Sequence, residues 1–205
     1  MNDQTSTTNV NLILASASPR RAEILQQLGV SFSVIPADID ESTKATELPN
    51  VYVRRIALYK AETICAANGR AFPVLAADTA VAIDDLILGK PAAIEHAREM
   101  LGRLSGRWHE VYSGLAIMHR DVTVISVRTR VKFRHIERHE IDRYWDSGEP
   151  HDKAGAYAIQ GIGGGFVERI DGSYSNVVGL PMVETLSLLD KYAIRHLFSP
   201  DIGAR

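Results

Sequence analysis

An unbroken apolar run at residues 73–77, followed by Asp78, restricts the folds that are open to this chain. A strand that is apolar on both faces must be covered on both faces, so this run is typical of a buried strand inside a sheet. Strand and helix patterns interleave on either side of it, which predicts one α/β domain around a mixed β-sheet with flanking helices. We expect the buried strand to end at Asp78.

The other elements follow from periodicity and from capping residues. Ser18 is an N-cap, Pro19 occupies the first helical position, and Gly29 closes this first helix. We divide the chain into a flexible N-terminal extension at residues 1–10, a single domain at 11–195 and a C-terminal tail at 196–205. Further helices are predicted at 50–68, 92–104, 137–147 and 181–193, and strands at 11–15, 30–36, 108–118, 122–134 and 166–170, with a hairpin at 80–88 that turns at Asp84 and Asp85.

Composition excludes several classes of protein. The 205 residues are 45% hydrophobic, which is too apolar for a disordered chain. The one cysteine, Cys65, excludes a disulfide-rich scaffold and is expected to be inert in the middle of a helix. No apolar run approaches the length of a membrane span, and residues 1–10 do not form a secretory signal. We therefore expect a cytoplasmic protein without membrane partners.

The charge balance argues against a nucleic-acid partner. The chain has 23 basic and 25 acidic side chains, a formal net charge of −2, so its whole surface does not attract polyanions. A row of alternating basic residues is interpreted as the solvated face of a strand, and a nucleic-acid surface is the minor alternative. This row consists of Arg128, Arg130, Lys132 and Arg134.

Two arginines stand where helix electrostatics disfavours them. Arg20 and Arg21 lie in the first turn of the first helix, and this end of a helix carries a partial positive charge. Their presence is explained if an anion binds there, because the hydroxyls of Ser16 and Ser18 and the free backbone N–H groups would converge on it. The alternative is that both guanidinium groups extend into solvent.

Lys60 interrupts the apolar face of the second helix. It follows Ile56 and Ala57 at helical spacing, which places it on the face that should be buried. A buried ammonium group requires a paired charge or a phosphate. The alternative is a lysine at the edge of this face that reaches water.

Carboxylates supply a second set of candidate site residues. Asp78 stands at the expected carboxyl end of the buried strand, where ligands collect in open α/β sheets, and could hold a metal or polarise a water. Asp40 and Glu41, in the polar loop at residues 37–49, could complete a site for a hard cation. The alternative for Asp78 is that it caps a turn together with Thr79.

Glycines are dense between residues 148 and 165, which lets the backbone approach a ligand closely. Gln160 lies between Ile159 and these glycines, and we expect it to be partly buried. A buried amide can recognise the donor and acceptor edge of a partner. A mobile surface loop is the commoner interpretation of such a segment.

Taken together, these residues suit a metal–polyphosphate ligand, because phosphoryl chemistry depends on positioning and charge neutralisation. The seven histidines lack the spacing of a zinc site, and the sequence contains no P-loop, dinucleotide-binding or GxSxG motif. The residues alone indicate a metal-assisted enzyme that acts on a nucleotide or a similar phosphate. The candidate cations are Arg20, Arg21, Lys60 and Lys90, and the candidate acids are Asp40, Glu41 and Asp78.

Several short motifs follow one another along the chain. They include LASASPRR at residues 14–21, ADT at 77–79, GKP at 89–91, DKAGAY at 152–157 and IQG at 159–161. In this order they resemble the Maf (septum formation) family of nucleoside triphosphate pyrophosphatases, and the resemblance extends over residues 11–190. The chain departs from the family's pattern at Ser113, near which many members have threonine, and in a longer N-terminal extension.

The resemblance implies an elongated mixed sheet with two lobes around a deep nucleotide-binding cleft, similar to Maf and ITPase proteins. It implies that a nucleoside triphosphate is split into a monophosphate and pyrophosphate with a divalent cation, Mg²⁺ or Mn²⁺. Because DKAGAY and IQG match the branch that acts on dTTP and UTP, these nucleotides and modified uridine triphosphates are the implied substrates. A homodimer is left open.

The predicted roles combine the residues with this resemblance. The metal ligands are Asp78 and Glu41, and Asp78 also activates or orients the attacking water. Gln160 would bind the O4 and N3 edge of a pyrimidine, so CTP should be the poorer substrate. The charge on the leaving pyrophosphate would be neutralised by Arg21, Lys60 and Lys90, together with Arg20. Ser16 would bind substrate. The branch's selectivity positions are occupied by Arg20, Thr79 and Gln160.

Two alternatives remain from the sequence. One is hydrolysis of 7-methyl-GTP, the activity of the sister branch, against which the segment around Gln160 argues. The other is a non-enzymatic regulator of septation that binds nucleotide or nucleic acid. A pure binding protein would not need Asp78 and Glu41, and pyrophosphate release separates these alternatives.

Overall fold

The computed structural model describes residues 11–200, so the predicted extension at 1–10 and the end of the predicted tail at 201–205 lie outside it. Helices and strands alternate along the described chain as predicted. The helices are α1 (Pro19–Gln27), α2 (Pro49–Ala67), α3 (Ile94–Leu104), α4 (Arg138–Asp146), α5 (Tyr174–Val178) and α6 (Met182–Lys191). The strands are β1 (Leu12–Leu14), β2 (Phe32–Val34), β3 (Val74–Ile83), β4 (Leu86–Leu88), β5 (Trp108–Met118), β6 (Val122–Phe133) and β7 (Val167–Asp171).

Within the described residues, seven strands form a single mixed sheet in the order β2-β1-β3-β5-β6-β7, with β4 paired to β3. β1 is parallel to β2 and β3, whereas the pairs β3–β5, β5–β6, β6–β7 and β3–β4 are antiparallel. The predicted α/β class is confirmed. The predicted hairpin also turns at Asp84 and Asp85, whose φ angles of 51° and 61° suit a tight two-residue turn. The short helix α5 was not predicted.

β3 is longer than predicted, and this corrects the placement of Asp78. The sequence predicted that the buried strand ends at Asp78, whereas β3 contains this residue near its middle. β5 pairs with β3 along residues 74–82, so hydrogen bonding continues past the charged side chain. The apolar residues after Asp78 extend the strand because they too are buried. The turn-capping alternative for Asp78 is therefore wrong.

The opposite edge of β3 has a gap in its strand pairing. β1 pairs with β3 at Val74 and Leu75, and β4 pairs with it at residues 81–83. Between these two short neighbours, the described strand pairs leave residues 76–80 without a partner on this edge. A strand edge without a neighbour leaves room for a ligand, and this gap positions the site.

The two halves of β3 belong to different hydrophobic cores. Residues 74–77 pack with α1, α2 and α6 on the two faces of the sheet. Val81 and Ile83 pack in a separate core with α3 and α4. Asp78 and Thr79 lie between these cores, where a cleft between two lobes was expected.

Gly114 in β5 allows α2 to lie close against the sheet. A Cβ atom at Gly114 would overlap the carbonyl oxygen of Val53, so no side chain fits between the helix backbone and the strand. This close approach brings Lys60, about two helical turns further along α2, down to the level of β3.

Other predicted surface and core features are as expected within residues 11–200. Cys65 is buried in α2 with a free thiol. No helix of the described chain is both long and apolar enough to cross a membrane. The basic row on and after β6 forms ion pairs with neighbouring acids rather than a free cationic stripe: Arg128 with Glu110, Arg130 with Asp171, Lys132 with Glu168, and Arg134 with Glu140.

Candidate active site

A cleft of about 520 Å³ opens at the unpaired edge of β3. Its walls come from the β1–α1 turn, α2, β3, the Gly-Lys-Pro turn after β4 and the segment at residues 152–160. Ten side chains that the sequence singled out line this one cleft, namely Ser16, Ser18, Arg20, Arg21, Glu41, Lys60, Asp78, Thr79, Lys90 and Gln160. Segments far apart in the chain therefore converge as the chemistry of a polyphosphate ligand requires.

Arg21 does not extend into solvent. Its Nη1 donates to Ser16 Oγ at 3.0 Å, its Nη2 to Thr79 Oγ1 at 3.1 Å, and its Nε to the Gly179 carbonyl oxygen at 2.9 Å. The side chain is buried, and this burial lowers the pKa of the guanidinium group. The neighbouring Arg20 is only partly buried. Arg21 thus joins α1, β3 and the end of α5 on one wall of the cleft.

Lys60 is buried and paired with two carboxylates. Its Nζ lies 2.8 Å from Asp78 Oδ1 and 2.9 Å from Glu41 Oε1. The alternative in which Lys60 reaches water is therefore wrong, and the paired charge that its position required is present. The Glu41 side chain is 46% exposed, so it brings a partly solvated carboxylate to the buried Lys60–Asp78 pair.

Consecutive strand residues point to opposite faces of a sheet. Asp78 therefore points toward α2, where it contacts Lys60, and its neighbour Thr79 points toward α1, where it contacts Arg21. Burial raises the pKa of the Asp78 carboxyl, although the charges of Lys60 and Arg21 act in the opposite direction. A carboxylate with a raised pKa is a better proton acceptor than an exposed one.

The remaining predicted acid, Asp40, is not part of this arrangement. It does not line the cleft, and its carboxylate accepts hydrogen bonds from the backbone N–H and the hydroxyl of Ser42 at 2.8 and 2.9 Å. These bonds lower the pKa of Asp40. Asp40 therefore shapes the loop that carries Glu41.

Gln160 is more exposed than predicted. The sequence suggested partial burial, whereas the side chain is exposed where it lines the cleft. The glycines around it are held through their backbone amides, as at Gly163, whose N–H donates to Glu149, so the segment packs through its backbone and leaves the Gln160 side chain outside. An amide in this position can contact a ligand without rearrangement of the core.

Sequence reasoning missed Asp152 and Lys153 as individual site residues. Both line the cleft, and Lys153 Nζ is ion-paired with the adjacent Asp152. Their only signal was membership of the DKAGAY motif. Lys153 adds a fifth cationic side chain to the four that were predicted.

A buried polar chain behind Thr79 was also missed. Thr79 Oγ1 lies 2.9 Å from Ser113 Oγ, and Ser113 Oγ donates to the Asn176 carbonyl oxygen at 2.9 Å. Ser113 has a single hydroxyl proton, so Thr79 must be the donor to Ser113. The chain therefore runs from Arg21 through Thr79 and Ser113 to Asn176.

The carboxylates available for a divalent cation are few. Among residues 11–200, no group of three or more histidine, cysteine, aspartate or glutamate side chains could hold a metal. Asp78 and Glu41 offer two carboxylates that share Lys60. This donor set suits a cation such as Mg²⁺, which is commonly held by one or two carboxylates together with substrate phosphates.

The family model described as "Maf-like protein" matches residues 11–192 of the chain. The chain belongs to the Maf family. This assignment explains why the motifs follow the family's order through the β1–α1 turn, β3 and the segment at 152–161.

Curated relatives in the Maf family resemble the chain over nearly its full length. A protein of Hahella chejuensis named "dTTP/UTP pyrophosphatase" is 50% identical over 187 residues, which cover 90% of this chain and 93% of the relative. A protein of Methylobacillus flagellatus with the same name is 53% identical over 180 residues, which cover 87% of this chain and 90% of the relative. The solved structure of the Staphylococcus aureus Ham1 protein shows only a weak likeness, with a TM-score of 0.44 at 14% identity over 60% of this chain and 71% of that one.

Proposed function

We propose that this member of the Maf family hydrolyses dTTP and UTP to the nucleoside monophosphate and pyrophosphate. Two findings support the proposal together. Relatives that are about half identical over most of both chains carry the name dTTP/UTP pyrophosphatase. The cleft also gathers, around the buried Lys60–Asp78 pair, the cations that a triphosphate requires.

In this reaction a water oxygen attacks the α-phosphorus, and the bond from that phosphorus to the oxygen bridging to the β-phosphate breaks. Pyrophosphate leaves with the electrons of this bond, and the water proton passes to a base. Asp78 is the candidate base or its orienting group, because its carboxylate faces the cleft and burial raises its pKa. Each preorganised donor to the developing charge is worth about 3 kcal/mol of transition-state stabilisation.

The cationic side chains divide into two groups by burial. Arg21 and Lys60 are buried and fixed by hydrogen bonds, so they act on phosphate oxygens without first losing mobility. Arg20 and Lys90 are more exposed and suit the outer phosphates, which remain in contact with water. Ser16 is buried beside Arg21 at the end of β1, where its hydroxyl holds the guanidinium group that faces substrate.

We include a divalent cation, Mg²⁺ or Mn²⁺, in this proposal. Asp78 and Glu41 would hold it, each through the carboxylate that also contacts Lys60. When bound, such a cation neutralises phosphate charge and lowers the pKa of water. Lys60 would then be a counter-charge that both carboxylates already share.

Gln160 is the candidate reader of the base. Its amide offers one acceptor and two donor protons, which match the N3–H donor and O4 acceptor of uracil and thymine. Cytosine carries an amino group at C4 and an unprotonated N3, so the same amide orientation leaves both contacts unmatched and disfavours CTP. We further propose that the enzyme acts in the cytoplasm, with a nucleoside triphosphate as its partner and without membrane or nucleic acid.

Pyrophosphate release tests the proposal. The panel consists of dTTP, UTP, CTP, GTP and 7-methyl-GTP with Mg²⁺, and the variants are Asp78→Asn and a control, Asp85→Asn. Asp85 lies in the exposed β3–β4 turn with a left-handed backbone that asparagine tolerates. We expect the wild-type protein to cleave dTTP and UTP and the Asp85→Asn control to keep this activity. The rate of pyrophosphate release should fall at least a hundredfold in Asp78→Asn. Preferred cleavage of 7-methyl-GTP, or nucleotide binding without pyrophosphate release, would overturn it.

A further inference from the structure

No other side chain within residues 11–200 holds the Gln160 side chain in place. Among residues 11–200, it makes no hydrogen bond or ion pair with another protein group, although it lines the cleft. Its orientation toward a ligand therefore depends on the backbone of the segment at residues 158–163. What fixes this backbone also fixes the point from which the Gln160 side chain extends into the cleft.

Two side chains hold this backbone from outside the cleft. Glu149 Oε2 accepts from the Ile162 N–H at 2.8 Å, and Glu149 Oε1 accepts from the Gly163 N–H at 2.9 Å. Tyr144 Oη donates to Glu149 Oε1 at 2.7 Å and accepts from the Ala158 N–H at 3.1 Å. The segment is thus bound on both sides of Gln160, two residues before and two to three residues after it.

The glycines of the segment permit this close contact. A Cβ atom at Gly161 would collide with the Glu149 carboxylate, and one at Gly163 would lie 2.5 Å from Tyr144 Oη. Glycine at positions 161 and 163 is therefore explained by the two side chains behind them. It does not require direct contact of these glycines with substrate.

Tyr144 is itself anchored in the hydrophobic core. Tyr144 belongs to α4 and is 3% exposed, and its ring packs edge-on against Phe166 at a centroid distance of 5.1 Å. Glu149 lies three residues after the end of α4 and begins a short 3₁₀ helix that follows Gly148. Neither Tyr144 nor Glu149 lines the cleft. The hydrophobic core containing α3 and α4 is therefore connected by hydrogen bonds to the backbone on both sides of Gln160.

We propose that Tyr144 and Glu149 are positioning residues for base selectivity, acting by fixing the backbone that presents Gln160. This inference rests on the proposed function, in which Gln160 contacts the pyrimidine. The residues assigned to the phosphates lie in the β1–α1 turn, α1, α2, β3 and the turn after β4, and Lys153 precedes the segment at residues 158–163. Loosening this backbone therefore changes the choice of base more than the rate of phosphoryl chemistry.

The test compares kcat and KM for UTP and CTP in Tyr144→Phe and Glu149→Gln. Tyr144→Phe removes the hydroxyl that accepts from the Ala158 N–H and donates to Glu149. Glu149→Gln replaces one carboxylate oxygen by an amide NH2 group, which cannot accept a hydrogen bond. The control is Tyr192→Phe, which removes a hydroxyl that is hydrogen-bonded to Thr123 Oγ1 at 2.9 Å. Tyr192 does not line the cleft. Thermal unfolding confirms that each variant is folded.

We expect the UTP-to-CTP ratio of kcat/KM to fall about tenfold in both variants, which corresponds to about 1.4 kcal/mol. The change should arise in KM for UTP, with kcat for UTP kept within about threefold, and the control should keep the wild-type ratio. A general structural defect would instead lower kcat for both nucleotides and leave the ratio unchanged.

The outcomes separate this inference from the proposed function. A wild-type protein that prefers UTP, with both variants keeping its ratio, overturns the positioning role alone. A wild-type protein that does not prefer UTP overturns the base contact of Gln160 and this inference with it. Amide hydrogen exchange on the wild-type protein needs no variant: protection at Ile162 and Gly163 is expected, and exchange at the rate of an open loop contradicts the proposal.

Discussion

Lys60 Nζ lies 2.8 Å from Asp78 Oδ1, and each side chain is only 8% exposed. Removing one partner of a buried ion pair leaves the other charge uncompensated, which costs about 3 to 5 kcal/mol. Replacing both partners together removes the desolvation problem and costs much less. The pair therefore couples stability to the chemistry of the cleft.

Lys60→Met should lower the free energy of unfolding by about 3 kcal/mol, because it removes the ammonium group bonded to the buried Asp78 carboxylate, for which the charge of Arg21 compensates only in part. The double variant with Asp78→Asn should be more stable than Lys60→Met alone. Urea unfolding of Lys60→Met, Asp78→Asn and the double variant gives the coupling energy between the two side chains. Arg103→Met, which breaks the exposed pair with Glu99, is the control and should cost less than about 1 kcal/mol. Additive losses across the cycle would contradict the prediction.

Ser113→Ala should weaken the wall of the cleft that carries Arg21. Ser113 is fully buried and accepts from Thr79, which in turn accepts from Arg21. The variant leaves the Thr79 hydroxyl without its acceptor, so we expect a loss of about 1 to 2 kcal/mol in stability. A mobile Arg21 should also lower kcat/KM for dTTP about tenfold.

The control for Ser113 is Ser126→Ala, at an exposed position on the adjacent strand β6. It should change stability by less than about 0.5 kcal/mol and leave kcat/KM at the wild-type value. If Ser113→Ala loses stability but keeps full activity, the polar chain supports the fold without positioning Arg21.

Gln160→Ala separates selectivity from stability. The side chain is exposed and lacks protein partners within residues 11–200, so the free energy of unfolding should change by less than about 0.5 kcal/mol. The preference for UTP over CTP should fall at least tenfold, because the group that distinguishes O4 from an amino group is gone. Steady-state kinetics with both nucleotides measure this, and an unchanged preference would place base recognition elsewhere in the cleft.

The sequence was most informative where a residue conflicted with its local environment. Lys60 on an apolar helix face and Arg21 at a helix N-terminus each required a partner, and the structure supplies Asp78 and Ser16. Such conflicts are visible in a single sequence because they break helix periodicity or helix electrostatics. The class of fold followed from the alternation of helices and strands for the same local reason.

Other features depended on contacts that no local pattern carries. Asp78 was placed at a strand end because a charge commonly terminates an apolar run, but pairing with β5 carries β3 through it. Ser113 and Asn176 are ordinary residues until the fold brings them together across 63 positions. The exposure of Gln160 likewise follows from backbone bonds to Glu149, which is distant enough in sequence to leave no periodic signal.

His109 should make the protein sensitive to acid. It is buried on β5, where its Nε2 contacts Tyr157 Oη at 2.9 Å and its ring packs against Phe133. Burial lowers the pKa of His109 from 6.5 to about 3. As the pH falls below 6.5, His109 is protonated in the unfolded chain but stays neutral in the folded chain. The free energy of unfolding therefore decreases until the pH reaches the pKa of His109 in the folded protein.

His109→Gln should remove this part of the pH dependence while keeping a group that can bond to Tyr157. Between pH 7 and pH 5, the wild-type protein should lose about 2 kcal/mol more of its unfolding free energy than the variant, since each pKa unit corresponds to about 1.4 kcal/mol. Urea unfolding at the two pH values measures the difference. His135→Gln is the control, because the His135 side chain is 73% exposed and should leave the wild-type slope intact. Equal losses in wild type and His109→Gln would show that other groups cause the acid sensitivity.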